Sequence, residues 1–141
     1  MREWEKWEDP EIVKELERDW SSEDRSLLWR VINLMAEAYR CESVLDVGCG
    51  VGLDSVPFTS RGMHYTGIDV TPKMIERAKE KFPRVDFRVG DAFSLQFPDS
   101  SFDMVFSSDV LIHVPNYQAV LWELSRVCRK VVLLHLSYLT D

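Results

Sequence analysis

Three acidic residues and a run of alternating glycines carry the chemistry of this sequence. Gly48, Gly50 and Gly52 stand in "VLDVGCGVG", residues 44–52, directly after an apolar run. Glycine admits positive φ and has no Cβ to hold a ligand away from the backbone. A helix following such a loop points N–H groups and partial positive charge at it, so an anion is one natural guest. Asp46 lies just before the loop. Asp69 ends a second apolar run, "HYTGID", and Asp91 ends a third, "VDFRVGD". A carboxylate at Asp69 can accept both hydroxyls of a ribose, and one at Asp91 can accept an exocyclic amine. A pyrophosphate gains nothing from these carboxylates, whereas a nucleoside with a cationic amino-acid tail does. The spacing points the same way. The dinucleotide fingerprint G-x-G-x-x-G places a glycine where this chain has Leu53, and the third glycine here comes one residue early.

The elements around these residues alternate. Helices are predicted over 9–20, with Asp9 as cap and Pro10 in the first turn, and over 21–40, with Ser21 and Asp24 in capping-box spacing. The second helix has Leu27, Leu28, Val31, Leu34, Met35 and Ala38 on one face. Strands follow at 43–48, 64–69, 85–91, 102–108 and 130–136. Helices fall between them at 51–60, 71–82 and 116–128. Pro57 is expected to end or kink the first of these helices. Thr71 is expected to cap the second, which turns Ile75, Ala78 and Phe82 inward. The third turns Val120, Leu121, Leu124 and Val127 inward. The last strand is apolar enough to be buried on both faces.

This alternation means an α/β fold with a parallel sheet and helices on both sides. Residues 1–42 read as a helical segment packing on the sheet, and residues 43–141 as the ligand-binding domain. Ligands of such sheets bind beyond the carboxyl ends of the strands, where the glycine loop falls.

Composition narrows the setting. A net charge of −7 argues against a large nucleic-acid footprint. The basic stretch "SRVCRK", 125–130, reads as a solvated helix end. No apolar run is long enough to span a membrane, and the charged N-terminus lacks a signal-peptide core, so a cytoplasmic location is expected. Cys41, Cys49 and Cys128 are spaced neither as a metal clip nor as a redox pair, and no metal is expected.

With these residues in order, the chain resembles the class I S-adenosylmethionine-dependent methyltransferases, most of all the group acting on small molecules. "VLDVGCGVG" is similar to their glycine motif, and "YTGIDVTPKMIERAKEK" to the segment with the ribose-binding acid. "FRVGDAFSLQFPDSSFDMVFSSDVLIHVPN" is similar to the adenine-binding acid, the fourth strand and the loop after it. The likeness runs over residues 44–136 in the family's order. It implies a Rossmann-like, doubly wound, mainly parallel sheet with S-adenosyl-L-methionine as cofactor and S-adenosyl-L-homocysteine as product. By that resemblance Gly48, Gly50 and Gly52 line the methionine part, with Cys49 contributing its backbone. Asp46 sits near the amino group through water, and Asp69 takes the ribose hydroxyls. Val70 and Met74 pack near the adenine. Asp91 holds the adenine amine with Ala92 beside it, and Ser108 lies near the sulfonium.

The implied activity is in-line methyl transfer to a small-molecule acceptor. A base is needed only if the acceptor must lose a proton. His113, in "DVLIHVPN", is the candidate base; its alternative is a histidine packed within the loop. Trp4, Trp7, Trp20 and Tyr117 are either an aromatic lid over the acceptor or core. The loop "SSDVLI" lacks the Asn/Asp-Pro-Pro-aromatic motif of enzymes that methylate planar nitrogens. "VCRKVV" replaces the family's Lys-Pro-Gly-Gly turn before the fifth strand. The family's two further strands are not in this sequence. Either the sequence is a C-terminally incomplete fragment, or the sheet ends at five strands and the fifth is an exposed edge open to pairing with a second copy. A catalytically incomplete cofactor-binding module is the alternative reading, and a nicotinamide oxidoreductase, disfavoured by Leu53, Asp46 and Asp91, a third.

Overall fold

In a computed structural model that describes residues 3–137, five parallel strands form one sheet in the order β3-β2-β1-β4-β5. The strands are β1 (Ser43–Val47), β2 (His64–Asp69), β3 (Asp86–Val89), β4 (Phe102–Ser108) and β5 (Cys128–His135). The helices are α1 (Pro10–Ser22), α2 (Ser26–Ala38), α3 (Ser55–Ser60), α4 (Pro72–Lys81) and α5 (Tyr117–Val127). Short 3-10 turns add Glu3–Glu8 and Leu111–His113.

The chain steps outward from β1 through β2 to β3, then returns to the other side of β1 with β4 and β5. Right-handed crossovers in the two directions place their helices on opposite faces. One face packs Ile32 and Ala36 of α2, Phe58 of α3, and Ile75 and Ala78 of α4 against Val44, Tyr65, Phe87, Met104 and Phe106. The other packs Val120, Leu124 and Val127 of α5 against Leu45, Val47, Ile68 and Val105. The period of two along β1 thus sends Val44 and Leu45 to opposite faces. The point where the strand order switches sides lies between β1 and β4, beside the glycine loop.

Several local expectations are corrected. Ser21 and Ser22 belong to the end of α1, and Asp24, not Ser21, starts α2 by accepting the Ser26 N–H at 3.0 Å. The buried stripe of α2 is Ile32 and Ala36, flanked by Leu28, Trp29 and Met35; Leu27 and Leu34 face outward. The predicted helix over 51–60 forms only from Ser55. Pro57 sits in its first turn, where a missing N–H costs nothing, so it neither ends nor kinks the helix. Thr71 occupies the cap position of α4, but its hydroxyl makes no cap hydrogen bond. Asp69 Oδ1 takes the Thr71 N–H instead. β5 is an edge strand and only half-buried, rather than covered on both faces. The basic stretch 125–130 is not simply a solvated end. Arg126 holds Glu123, Asp99 and the Leu95 and Phe97 carbonyls, and Arg129 holds Asp103.

α1 is fastened to the sheet domain by charge. Its start is capped by Asp9, whose Oδ1 accepts the Glu11 N–H at 2.9 Å, with Pro10 in the first turn. Buried Glu17 accepts from Arg77 Nε at 2.6 Å, Arg77 Nη2 at 3.0 Å and Lys81 Nζ at 2.8 Å, all from α4. The Arg77 hydrogen bond, with help from Lys81, holds the Glu17 carboxyl down at about 2. A depressed carboxylate stabilises the fold above its ordinary value of 4.5 and loses that contribution as pH falls toward about 2. Glu17→Gln is expected to speed amide hydrogen exchange across α1, by the equivalent of about 1 kcal/mol, and leave β1 and β4 unchanged. It should also flatten the acid dependence of α1 exchange below pH 4.5.

Candidate cofactor site

The glycine loop leaves β1 with three consecutive left-handed glycines in alternate positions: φ is +80° at Gly48, +54° at Gly50 and +84° at Gly52. An L-residue there is strained, and at Gly48 and Gly52 a neighbouring side chain would also have to shift. A Cβ on Gly48 would lie 2.0 Å from Val110 Cγ2, and one on Gly52 would lie 2.5 Å from the Phe87 ring. A Cβ on Gly50 would meet the Trp20 ring at 3.1 Å. Gly52 therefore serves close packing against β3, whereas Gly48 and Gly50 line a cavity.

That cavity measures about 80 Å³. Trp20 and Arg25 line it from the N-terminal segment, Cys49, Val51 and Leu53 from the loop, and Asp54, Ser108 and Asp109 complete it. A second cavity of about 90 Å³ lies beyond β3, between Ile68, Gly90, Asp91 and Leu95. The two cavities open along the carboxyl ends of the strands.

The N–H groups of the three glycines and of Cys49 are turned to protein acceptors rather than presented to an anion, contrary to one expectation from the sequence. The N–H groups of Gly48 and Cys49 both donate to the Ile68 carbonyl, at 2.8 and 2.9 Å. The Gly50 N–H donates to Asp69 Oδ2 at 2.9 Å, and the Gly52 N–H to the Cys49 carbonyl. α3 begins only at Ser55 and has six residues. What surrounds the loop is carboxylate. Asp46 is 2% exposed, and Asp54 and Asp69 lie near it. Burial, then the charge of Asp54, pushes the Asp46 carboxyl up to about 8; a hydrogen bond from Tyr65 and the charge of Arg25 oppose this, while Asp69 adds to it. Burial also raises Asp69, against the lowering effect of its Thr71 and Gly50 hydrogen bonds. The Cys49 thiol is pushed well up by burial and by Asp46 and Asp69, so it is no nucleophile.

Other residues singled out in the sequence divide by position. Asp91 is exposed at the second cavity and its Oδ1 accepts the Phe93 N–H at 2.9 Å. Ala92, next to it, is half-buried against the α5 core. Ser108 reaches the first cavity, and its hydroxyl pairs with His135 Nδ1 at 2.8 Å. Val70 is half-buried at the end of β2. Met74 is core, packed with Val13 and Val51 under Trp7, Trp20 and Leu53. His113 is half-buried, its ring edge-on to Trp7 at 5.4 Å. Trp20 covers Gly50, whereas Tyr117 is exposed.

Four residues near the site escaped the sequence reading. Arg25 grips Asp54 with Nε at 2.6 Å and with Nη2, and Trp29 Nε1 donates to the same Asp54 at 2.9 Å. Tyr65 donates its hydroxyl to Asp46 Oδ2 at 2.6 Å. His135 joins from the end of β5. None carries a local motif; only the Tyr65-x-Gly67 alternation facing β1 was there to be noticed.

Comparison with known proteins agrees with this geometry. A family model described as "Methyltransferase domain" matches residues 45–135. The 2-methyl-6-phytyl-1,4-hydroquinone methyltransferase of Synechocystis is 41% identical over 91 residues, covering 62% of this chain and 29% of that enzyme. An O-methyltransferase of Aspergillus nomiae is 32% identical over 130 residues, covering 87% of this chain and 56% of that protein. The chain thus spans at most 56% of the length of these curated relatives. The structure of a TehB-like S-adenosylmethionine-dependent methyltransferase from Corynebacterium glutamicum superposes with a TM-score of 0.76 at 24% identity, covering 89% of this chain and 73% of that one. The glycine loop, the acids ending successive strands and the sheet order are those of one family, and the chain belongs to the class I S-adenosylmethionine-dependent methyltransferases.

Proposed function

We propose that the chain forms the cofactor-holding core of an enzyme that transfers a methyl group from S-adenosylmethionine to a small-molecule acceptor. The observation that carries this reading is the carboxylate-rich surround of a glycine loop in which the N–H groups of Gly48, Cys49, Gly50 and Gly52 are already engaged. Such a site suits a cation and hydroxyl donors, and repels a pyrophosphate.

The residues fit the cofactor. Gly48 and Gly50 offer bare backbone to its amino-acid tail, with Cys49 between them. Asp46 would face the ammonium through water, and Arg25, the cation among the described residues lining the cavity, the carboxylate. Asp69 would take the ribose hydroxyls. Val70 and Met74 would flank the adenine, and Asp91 would hold its amine beside Ala92. Ser108 would stand at the methyl end. Bound there, S-adenosylmethionine supplies a methyl group already activated on a sulfonium. The work of the protein is to align the acceptor and exclude water. His113 serves as base where the acceptor must lose a proton. Among the described residues no helix is long and apolar enough to cross a membrane.

Access needs movement. A cavity of about 80 Å³ is far below the roughly 300–1,000 Å³ of ordinary ligand pockets. Trp20 and Val110 occupy the space over Gly50 and Gly48. α1, carrying Trp20, is therefore the lid of this reading.

Calorimetric titration with S-adenosylhomocysteine is expected to show one site per chain; a folded sample that takes up none overturns the reading. Asp69→Ala should weaken that binding by about 1–3 kcal/mol, the scale of hydrogen bonds to a charged group. An unchanged affinity would remove Asp69 from the site. Trp20→Ala should raise the association rate in stopped-flow binding severalfold, because the ring no longer has to leave Gly50. Methyl transfer itself is tested on the full-length protein with an acceptor panel. Binding without transfer to any acceptor would favour a binding module.

A further inference from the structure

We propose that Tyr65 is a positioning residue of the cofactor site, its hydroxyl holding the Asp46 carboxylate in place for the cofactor's amino group. The inference rests on the reading above for the ligand, and on the packing of β1 against β2 for the geometry. Asp46 is paired in register with Gly67, and Tyr65 with Val44, one step back along the same face. The Tyr65 side chain therefore has to run forward along β2 to reach Asp46. It can do so because Gly67 has no side chain. A Cβ there would lie 2.9 Å from the Tyr65 hydroxyl and 3.0 Å from Cys49 Sγ. The gap at Gly67 is thus the seat of the hydroxyl, which donates to Asp46 Oδ2 at 2.6 Å. Both residues are buried, at 7% and 2% exposure. The ring is further fixed by Phe58 and by Phe87, edge-on at 5.8 Å.

The hydroxyl has an electrostatic task as well as a geometric one. The groups facing Asp46 are Asp54 before α3, Asp69 at the end of β2, Cys49 in the loop, Arg25 before α2, and Tyr65. Two of these are carboxylates that oppose its ionisation, and Arg25 is already gripping Asp54. Tyr65 is the hydrogen-bond donor that favours the carboxylate form. Without it, a larger share of the protein carries a neutral Asp46 at neutral pH. With its midpoint at about 8, Asp46 is mostly neutral at pH 7 even with Tyr65 in place, so binding an ammonium group must drive its deprotonation, and without Tyr65 that step costs more.

Tyr65→Phe tests this, since phenylalanine fills the same space. In the ligand-free protein, carbon NMR of the Asp46 carboxyl is expected to titrate near 8 in the unaltered chain. In the variant its proton affinity should rise about tenfold, the equivalent of one hydrogen bond of modest strength. S-adenosylhomocysteine should bind the variant about tenfold more weakly at pH 7, the gap shrinking to about twofold at pH 9. In an Asp46→Asn background Tyr65→Phe should add no pH-dependent loss.

An unchanged Asp46 titration, or an affinity loss of equal size at both pH values, overturns the proposal. Should Tyr65→Phe not fold, the unaltered chain still decides it. The Tyr65 ring carbon must then shift with the midpoint of Asp46, and separate midpoints overturn the proposal. If S-adenosylhomocysteine binds neither chain, the cofactor reading fails, while the carboxyl titration still decides whether Tyr65 governs Asp46.

Discussion

Asp69 is the tie on which the site depends. Its two carboxylate oxygens accept from the Gly50 N–H and the Thr71 N–H, each at 2.9 Å. One side chain thereby joins the glycine loop after β1 to the start of α4 after β2. A loop of left-handed glycines has many conformations to lose on folding, and a loop without partners would not keep one. With Gly48 and Cys49 also bound to the Ile68 carbonyl, the first half of the loop, Gly48 to Gly50, is held by the neighbouring strand. The cavity has a fixed floor because of these bonds.

The same bonds decide the electrostatics. By engaging the Gly48, Cys49 and Gly50 N–H groups, they leave the acids as the loop's main chemical character. Asp46 lies among Asp54, Asp69 and Arg25 in a buried setting, where repulsion between carboxylates is poorly screened. Folding tolerates this because Tyr65 and Arg25 give partial relief, and because Asp46 can hold a proton. A raised carboxyl makes the ligand-free protein lose stability as pH rises from the ordinary value of 3.8 through about 8. A cation held beside Asp46 would offset that loss. Strain of this kind is common where a protein prepares for a charge it does not itself carry.

The N-terminal segment closes the arrangement from outside. Glu17 holds α1 to α4 through Arg77 and Lys81. Asp54 holds the approach to α2 through Arg25 and Trp29. Between these two anchors Trp20 lies on Gly50. The polar anchors sit at the flanks and the apolar ring over the glycine.

The sequence alone determined the alternation of strands and helices, because periodicity and glycine and proline positions are local properties. It also determined the parallel sheet, the position of the glycine loop, and Asp46, Asp69 and Asp91 at the ends of β1, β2 and the segment after β3. It misjudged Ser21, Leu27, Leu34 and Pro57, because which face of α2 is buried and where α3 begins depend on what packs there. Tertiary structure decided the rest. That the Gly48, Cys49 and Gly50 N–H groups are spent on Ile68 and Asp69 follows from strand pairing. So does the reach of Tyr65 through the gap at Gly67 to Asp46, 19 residues away in the chain. Arg25 and Trp20 arrive from a segment with no motif of its own. Local pattern names the residues that a strand end must present. Only the pairing of distant segments settles which of their hydrogen bonds and charges remain for a ligand.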